Sequence, residues 1–94
     1  MIWIKYDAKR GELVAEGHSS AAPIGQDIVC AAVSTAMDMI TVMLPWHKME
    51  LQQSDGYQVI RCKGGRARHV FSCGVSYLEV IAVEYPDQVR VVRK

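Results

Sequence analysis

Cys30 and His18 are the two side chains whose types and spacing could do covalent chemistry. Twelve positions separate them. Cysteine offers a nucleophilic thiolate, and histidine offers a base that works near neutral pH. Asp27 suits the N-cap of the helix that follows. With that cap, Cys30 falls in the first turn, where a thiolate would face unpaired backbone N–H groups and the positive end of the helix dipole. The Asp27 carboxylate, close by in sequence, opposes this through like charge. His18 closes a strand and meets Cys30 if the intervening loop folds back over the helix start. Such a pair is recognised by geometry, not by spacing alone. A small buried cysteine on an apolar helix is the plainer alternative. Ser34 stands one turn beyond Cys30 on the same helix face, so it either donates to the thiolate or back-bonds to the Cys30 carbonyl. Asp27 is first a cap and second an orienter of His18. Gly17 and Gly25 serve backbone conformation or close approach of a substrate.

Other candidates carry less. Cys62, His69 and Cys73 invite a metal reading because His69 and Cys73 are four apart on a helix. Cys62 reads as mid-strand and no fourth ligand is near, so neither metal nor cofactor is expected. Arg61, Lys63, Arg66 and Arg68 form a basic run that could hold phosphates. No stacking aromatics surround Gly64 and Gly65, so a solvated turn is the plainer reading and a nucleic-acid partner is not expected. Trp46 reads as core or edge packing, and His47 as a loop residue. Met37, Met39 and Met43 read mostly as core, with one face left for a partner subunit.

The elements that must position these groups follow from pattern. Ile2, Ile4 and Tyr6 alternate with Trp3, Lys5 and Asp7, the period of a half-buried strand. Lys9, Arg10 and Gly11 make a turn, and Leu13, Ala15 and Gly17 continue a second strand, paired as a hairpin. Ser19 to Gln26 reads as a loop. Apolar residues at Val29, Val33, Ala36, Ile40 and Leu44 predict a helix over about 27–43, ended by Pro45. Lys48 to Gln53 and Tyr57 to Lys63 predict two strands joined at Ser54, Asp55 and Gly56. Gly64 and Gly65 read as a break. A second helix is expected from about Val70 to Glu84, with Gly74 its weakness, and a last strand over Val89 to Val92. The order ββαββαβ implies an α+β two-layer domain, two helices on one face of a small mixed or antiparallel sheet.

Composition bounds the rest. The chain has 94 residues, half of them hydrophobic, 22% charged, with a formal net charge of +1. That composition excludes disorder and a uniformly basic body. One domain spanning 1–94 is expected. Three cysteines form neither a closed disulfide set nor a CxxC pair, which suits a reduced, cytoplasmic protein. The N-terminal residues carry charges where a signal peptide needs an apolar core. The apolar stretch from Ile28 to Leu44 contains Asp38 and is too short to span a membrane, so no membrane partner is expected.

Gly17 and His18, a short loop, then Gly25, Asp27, Val29, Cys30, Ala31, Ala32, Val33 and Ser34 resemble the signature of the ribosomal-processing cysteine proteases, Prp. The pattern is G-H, a loop, then G-x-D-x-V-C-A-A-V-S. The element order and Glu84, Tyr85 and Pro86 are similar too, so the resemblance covers most of the chain. It implies a small, usually homodimeric cysteine protease with a Cys–His dyad. Such enzymes remove an N-terminal extension from a large-subunit ribosomal protein. Related copies occur in phages or prophages, so the alternative is such a copy processing a virion protein. It further implies Cys30 as nucleophile and His18 as general base, supported by Gly17, Asp27 and Ser34. Where the family commonly has glycine two residues after the histidine, this chain has Ser20.

Two function classes follow. The first is a peptidase in which Ser19, Ser20, Ile24 and Gly25 belong to a substrate-binding loop that closes over the cleft, with Ile24 its apolar anchor. Backbone N–H groups at the helix start are its expected oxyanion donors. The second is a non-catalytic module that docks on ribosome or RNA through the basic run.

Overall fold

A computed structural model describes residues 1–17 and 24–94, with side chains in the second stretch from residue 28 onward. Strand β1 (Ile2–Asp7) turns at Gly11 into β2 (Glu12–Glu16), and the Asp7 carboxylate accepts from the Arg10 N–H at 3.2 Å in that turn. Helix α1 (Ile24–Met43) follows, then a single 3₁₀ turn over Trp46–Lys48. Strands β3 (Glu50–Ser54) and β4 (Tyr57–Arg61) form a second hairpin around Asp55 and Gly56. Helix α2 (Gly65–Glu84) leads to β5 (Val89–Arg93).

The five strands lie in the order β3-β4-β2-β1-β5. Only β1 and β5 run parallel, so the sheet is mixed. Strand alternation sends Ile2, Ile4, Tyr6, Leu13 and Ile60 to one face. There they meet Val29, Val33, Met37 and Ile40 of α1 and Phe71, Val75 and Leu78 of α2 in one core. Burying each large side chain contributes about 1.5–3 kcal/mol. Tyr6 and Phe71 stack at a tilt, ring centres 5.5 Å apart. Burial pushes the Tyr6 phenol above its ordinary range, with Arg68 and Arg93 pulling the other way.

The opposite face carries charge. Arg61 on β4 stands between Glu12 and Glu50, bonding Glu12 at 2.7 Å and lying 3.8 Å from Glu50. Lys5 pairs with Glu16 on the neighbouring strand. Opposite charges across strands suit a wet sheet face. Gly74 lets the helices touch, because a β-carbon there would stand 2.5 Å from Ile40 Cδ1. What read as a weak point of the helix is where it packs against Ile40 of α1. Among the described residues, no helix is long and apolar enough to cross a membrane.

Several expected boundaries move. Helix α1 begins at Ile24, so Ile24, Gly25 and Gln26 are helical and not loop, and Asp27 lies inside the helix and not at its cap. Pro23 precedes it in sequence, and proline is tolerated at a helix entry because the first N–H groups bond nothing anyway. Helix α2 begins at Gly65, not Val70, which puts Arg66 and Arg68 in helical turns and not in a solvated loop. Its core contacts at Ala67, Val70 and Phe71 outweigh the cost of glycine at the start. Trp46 is 81% exposed and packs in no core; its ring meets that of His47 edge-on. Of the three helix methionines only Met37 is buried, while Met39 and Met43 face outward.

Candidate active site

Cys30 opens into a cleft of about 450 Å³ between α1 and the sheet. Four α1 residues, Cys30, Val33, Ser34 and Met37, form one wall. Their spacing puts them on one side of the helix. Ile2, Ala15 and Gly17 form the floor, and the β3–β4 hairpin from Gln53 to Gln58 forms the far wall. The Cys30 thiol is half-buried, packed against the core by its neighbours and open to the cleft.

Cys30 is the seventh residue of α1, not the third. The four unpaired N–H groups of a helix belong to its first four residues, here the turn before Cys30. The dipole effect fades beyond that turn, so the direct helix-start argument for the thiolate does not apply at its full strength. Ser34 lines the cleft and is exposed. Among the described residues it has no hydrogen bond, unlike Thr41, which bonds back to the Asp38 carbonyl at 2.6 Å.

Gly17 directly follows β2 and lies in the floor of this cleft. Its φ is +104°, and a β-carbon there would collide with the Met1 carbonyl oxygen. Its N–H donates to the Gly56 carbonyl at 2.9 Å, tying β2 to the tip of the β3–β4 hairpin. Only glycine fits such a position. His18, Ser19 and Ser20 lie outside the described residues, as does most of the expected lid. The side chains of Ile24 and Asp27 are likewise outside the description.

The other two cysteines stand elsewhere. Cys62, just past the end of β4, is buried in the core, and burial pushes its thiol up while Lys48 pulls it down. Cys73 is exposed on α2, its Sγ 3.8 Å from His69 Nε2. Among the described residues no three His, Cys, Asp or Glu side chains gather as metal ligands would. Cys30 is therefore the one cysteine on the cleft. The hairpin wall was not foreseen. Gln58 occupies a register that alternation would fill with an apolar residue, and that was the available signal.

The family model described as cysteine protease Prp matches residues 1–90. The fold is shared with solved structures. An essential ribosomal processing protease Prp from S. aureus, in complex with a substrate peptide, aligns with a TM-score of 0.85 at 20% identity, covering 100% of both chains. The same protease with a covalently linked product peptide gives 0.83 at 22%, again over 100% of both. SMU.848 from Streptococcus mutans gives 0.75 at 20% identity, over 98% of this chain and 90% of that one. No curated relative matches. A mixed sheet under two helices, a cleft cysteine and the matched model define a cysteine protease. The chain belongs to the Prp family of these enzymes, which replaces the non-catalytic reading.

Proposed function

We propose that this protease uses a Cys30–His18 dyad to remove a short N-terminal extension from a large-subunit ribosomal protein. The observation that carries the reading is the shared cleft of Cys30 and Gly17. His18 follows Gly17 directly in sequence, and membership of the Prp family supports a histidine there as the base.

The chemistry follows from these groups. His18 takes the Cys30 proton, and the thiolate attacks the scissile carbonyl, forming a C–S bond and an oxyanion. The oxyanion collapses and the C–N bond breaks. His18 returns its proton to the leaving amine. Water, deprotonated by His18, then attacks the thioester, the C–S bond breaks, and the acid product leaves. The S. aureus relative holds a covalently linked product peptide, in keeping with a covalent route. Gly17 and Ser34 support the site from its floor and from the turn beyond Cys30, Asp27 from the turn before it. Ser19, Ser20, Ile24 and Gly25 belong to the segment that meets the peptide.

A ribosomal substrate puts the enzyme in the cytoplasm. A homodimer is part of the same proposal. Ile28, Met39, Met43 and Tyr77 expose apolar surface along a groove of about 580 Å³ between α1 and α2. Exposed apolar patches of this kind mark contact surfaces. The function is tested by incubating the protein with a ribosomal large-subunit protein carrying its extension. Mass spectrometry should show one new N-terminus, absent with His18→Ala. An uncut extension overturns the ribosomal target.

A further inference from the structure

Gln58 is the second residue of β4 and sits between Ala15 of β2 and Gln53 of β3. Ala15 is buried beneath the helix layer, and so is Ile60, two residues along β4. The alternation of a strand therefore turns the Gln58 side chain toward α1. Gln58 lines the cleft that holds Cys30. Its Nε2 is buried and reaches no hydrogen-bond acceptor. Among the described residues one other buried side-chain polar atom is in that state, Gln88 Oε1, and Gln88 does not line the cleft.

A buried amide N–H without an acceptor destabilises a folded chain. An apolar residue would fill the same register without that cost. A lone donor on the wall of a nucleophile's cleft gains its partner when a carbonyl oxygen arrives. A peptide main chain supplies such oxygens at every residue, and each accepts two hydrogen bonds.

We propose that Gln58 is a substrate-binding residue of this protease, its Nε2–H donating to a main-chain carbonyl oxygen of the peptide held beside Cys30. The donor is set in a strand and not in a loop, so it is held in place before substrate binds. The free enzyme carries an unmet donor that the bound enzyme satisfies. Because main-chain carbonyls are common to all peptides, Gln58 fixes the position and direction of the chain rather than selecting side chains.

The inference rests on Cys30 being the nucleophile, and the test separates the two. The probe is a synthetic extension peptide that the wild-type protein cleaves. Gln58→Met keeps the volume and removes the donor. Gln58→Glu keeps the shape and replaces the donor end with an acceptor. Both should lower kcat/KM about tenfold or more. Iodoacetamide should alkylate Cys30 at the wild-type rate in Gln58→Met, since that small reagent does not need the peptide's carbonyls and the variant adds no charge to the cleft. The thermal midpoint of Gln58→Met should stay level or rise, because an unmet buried donor is gone. Unchanged cleavage in both variants overturns the proposal. So does a parallel fall in cleavage, alkylation and thermal midpoint in Gln58→Met, which marks a packing role. Cys30→Ala in the same assay reads the other question, and cleavage that survives there removes the nucleophile instead.

Discussion

Arg93 on β5 holds Glu79 on α2 through two hydrogen bonds, 3.1 Å from Nε and 2.9 Å from Nη2. The pair closes the last strand against the second helix, and Arg93 Nη2 also reaches Ser76 Oγ at 3.4 Å. The hydrogen bond from Arg93 is the main cause holding the Glu79 carboxyl below its ordinary range. A depressed folded value means the pair stabilises the protein above the unfolded carboxyl range. That contribution is lost as pH falls through the folded value. Both side chains are over a third exposed, so solvent screening limits the pair to about 0.5–1 kcal/mol. Glu79→Gln should cost about that much near pH 7 in urea unfolding. The gap between variant and wild type should close in acid, and a gap that persists there contradicts the ion-pair account.

Gly17→Ala should damage both stability and the cleft. The residue has positive φ and no room for a β-carbon beside the Met1 carbonyl. Strain of this kind costs about 1–3 kcal/mol, and relieving it must move β2 against the Gly56 contact. Urea unfolding and peptide cleavage should both fall. A variant as stable and active as wild type would show that the cleft does not need this conformation.

Much of this was legible from residues alone, for reasons that can be named. The alternation of Ile2, Ile4 and Tyr6 fixed β1, and Gly11 and Gly56 marked the two hairpin turns with φ of +63° and +72°. The helix starts were less legible, because Gly64 and Gly65 read as a break while Ala67 and Phe71 already pack inside α2. The parallel docking of β5 beside β1 joins opposite ends of the chain, and no local pattern encodes it. At the site, the one-turn spacing of Cys30 and Ser34 was readable. The opposite wall was not, since Gln53, Asp55 and Gln58 reach the cleft through the sheet order β3-β4-β2.

Gly74→Ala should destabilise the helix pair although alanine favours helix by about 1 kcal/mol. The added carbon meets Ile40 Cδ1 at 2.5 Å and Cγ1 at 2.6 Å, and overpacking a buried contact costs about 1–3 kcal/mol. Ile40→Val removes Cδ1, so the cost of Gly74→Ala should shrink in that background. A double-mutant cycle by thermal unfolding reads this. Simple additivity would mean the helices do not press at this point.

The dimer proposal predicts a self-associated wild type and a monomeric Met39→Lys. Met39 is 60% exposed on the groove between α1 and α2, so a charge there should leave the fold intact. Sedimentation velocity at micromolar concentration decides. A wild-type monomer contradicts the dimer, and an undisturbed Met39→Lys dimer moves the interface off this groove.

The central claim is that Cys30 is the nucleophile. Thiol labelling alone does not isolate it, because Cys73 is exposed beside His69 and presents a second accessible sulfur. Peptide cleavage by Cys30→Ala and Cys73→Ala, each checked for native circular dichroism, separates them. The account predicts no cleavage by Cys30→Ala and wild-type cleavage by Cys73→Ala. Cleavage that survives in a folded Cys30→Ala protein would contradict it.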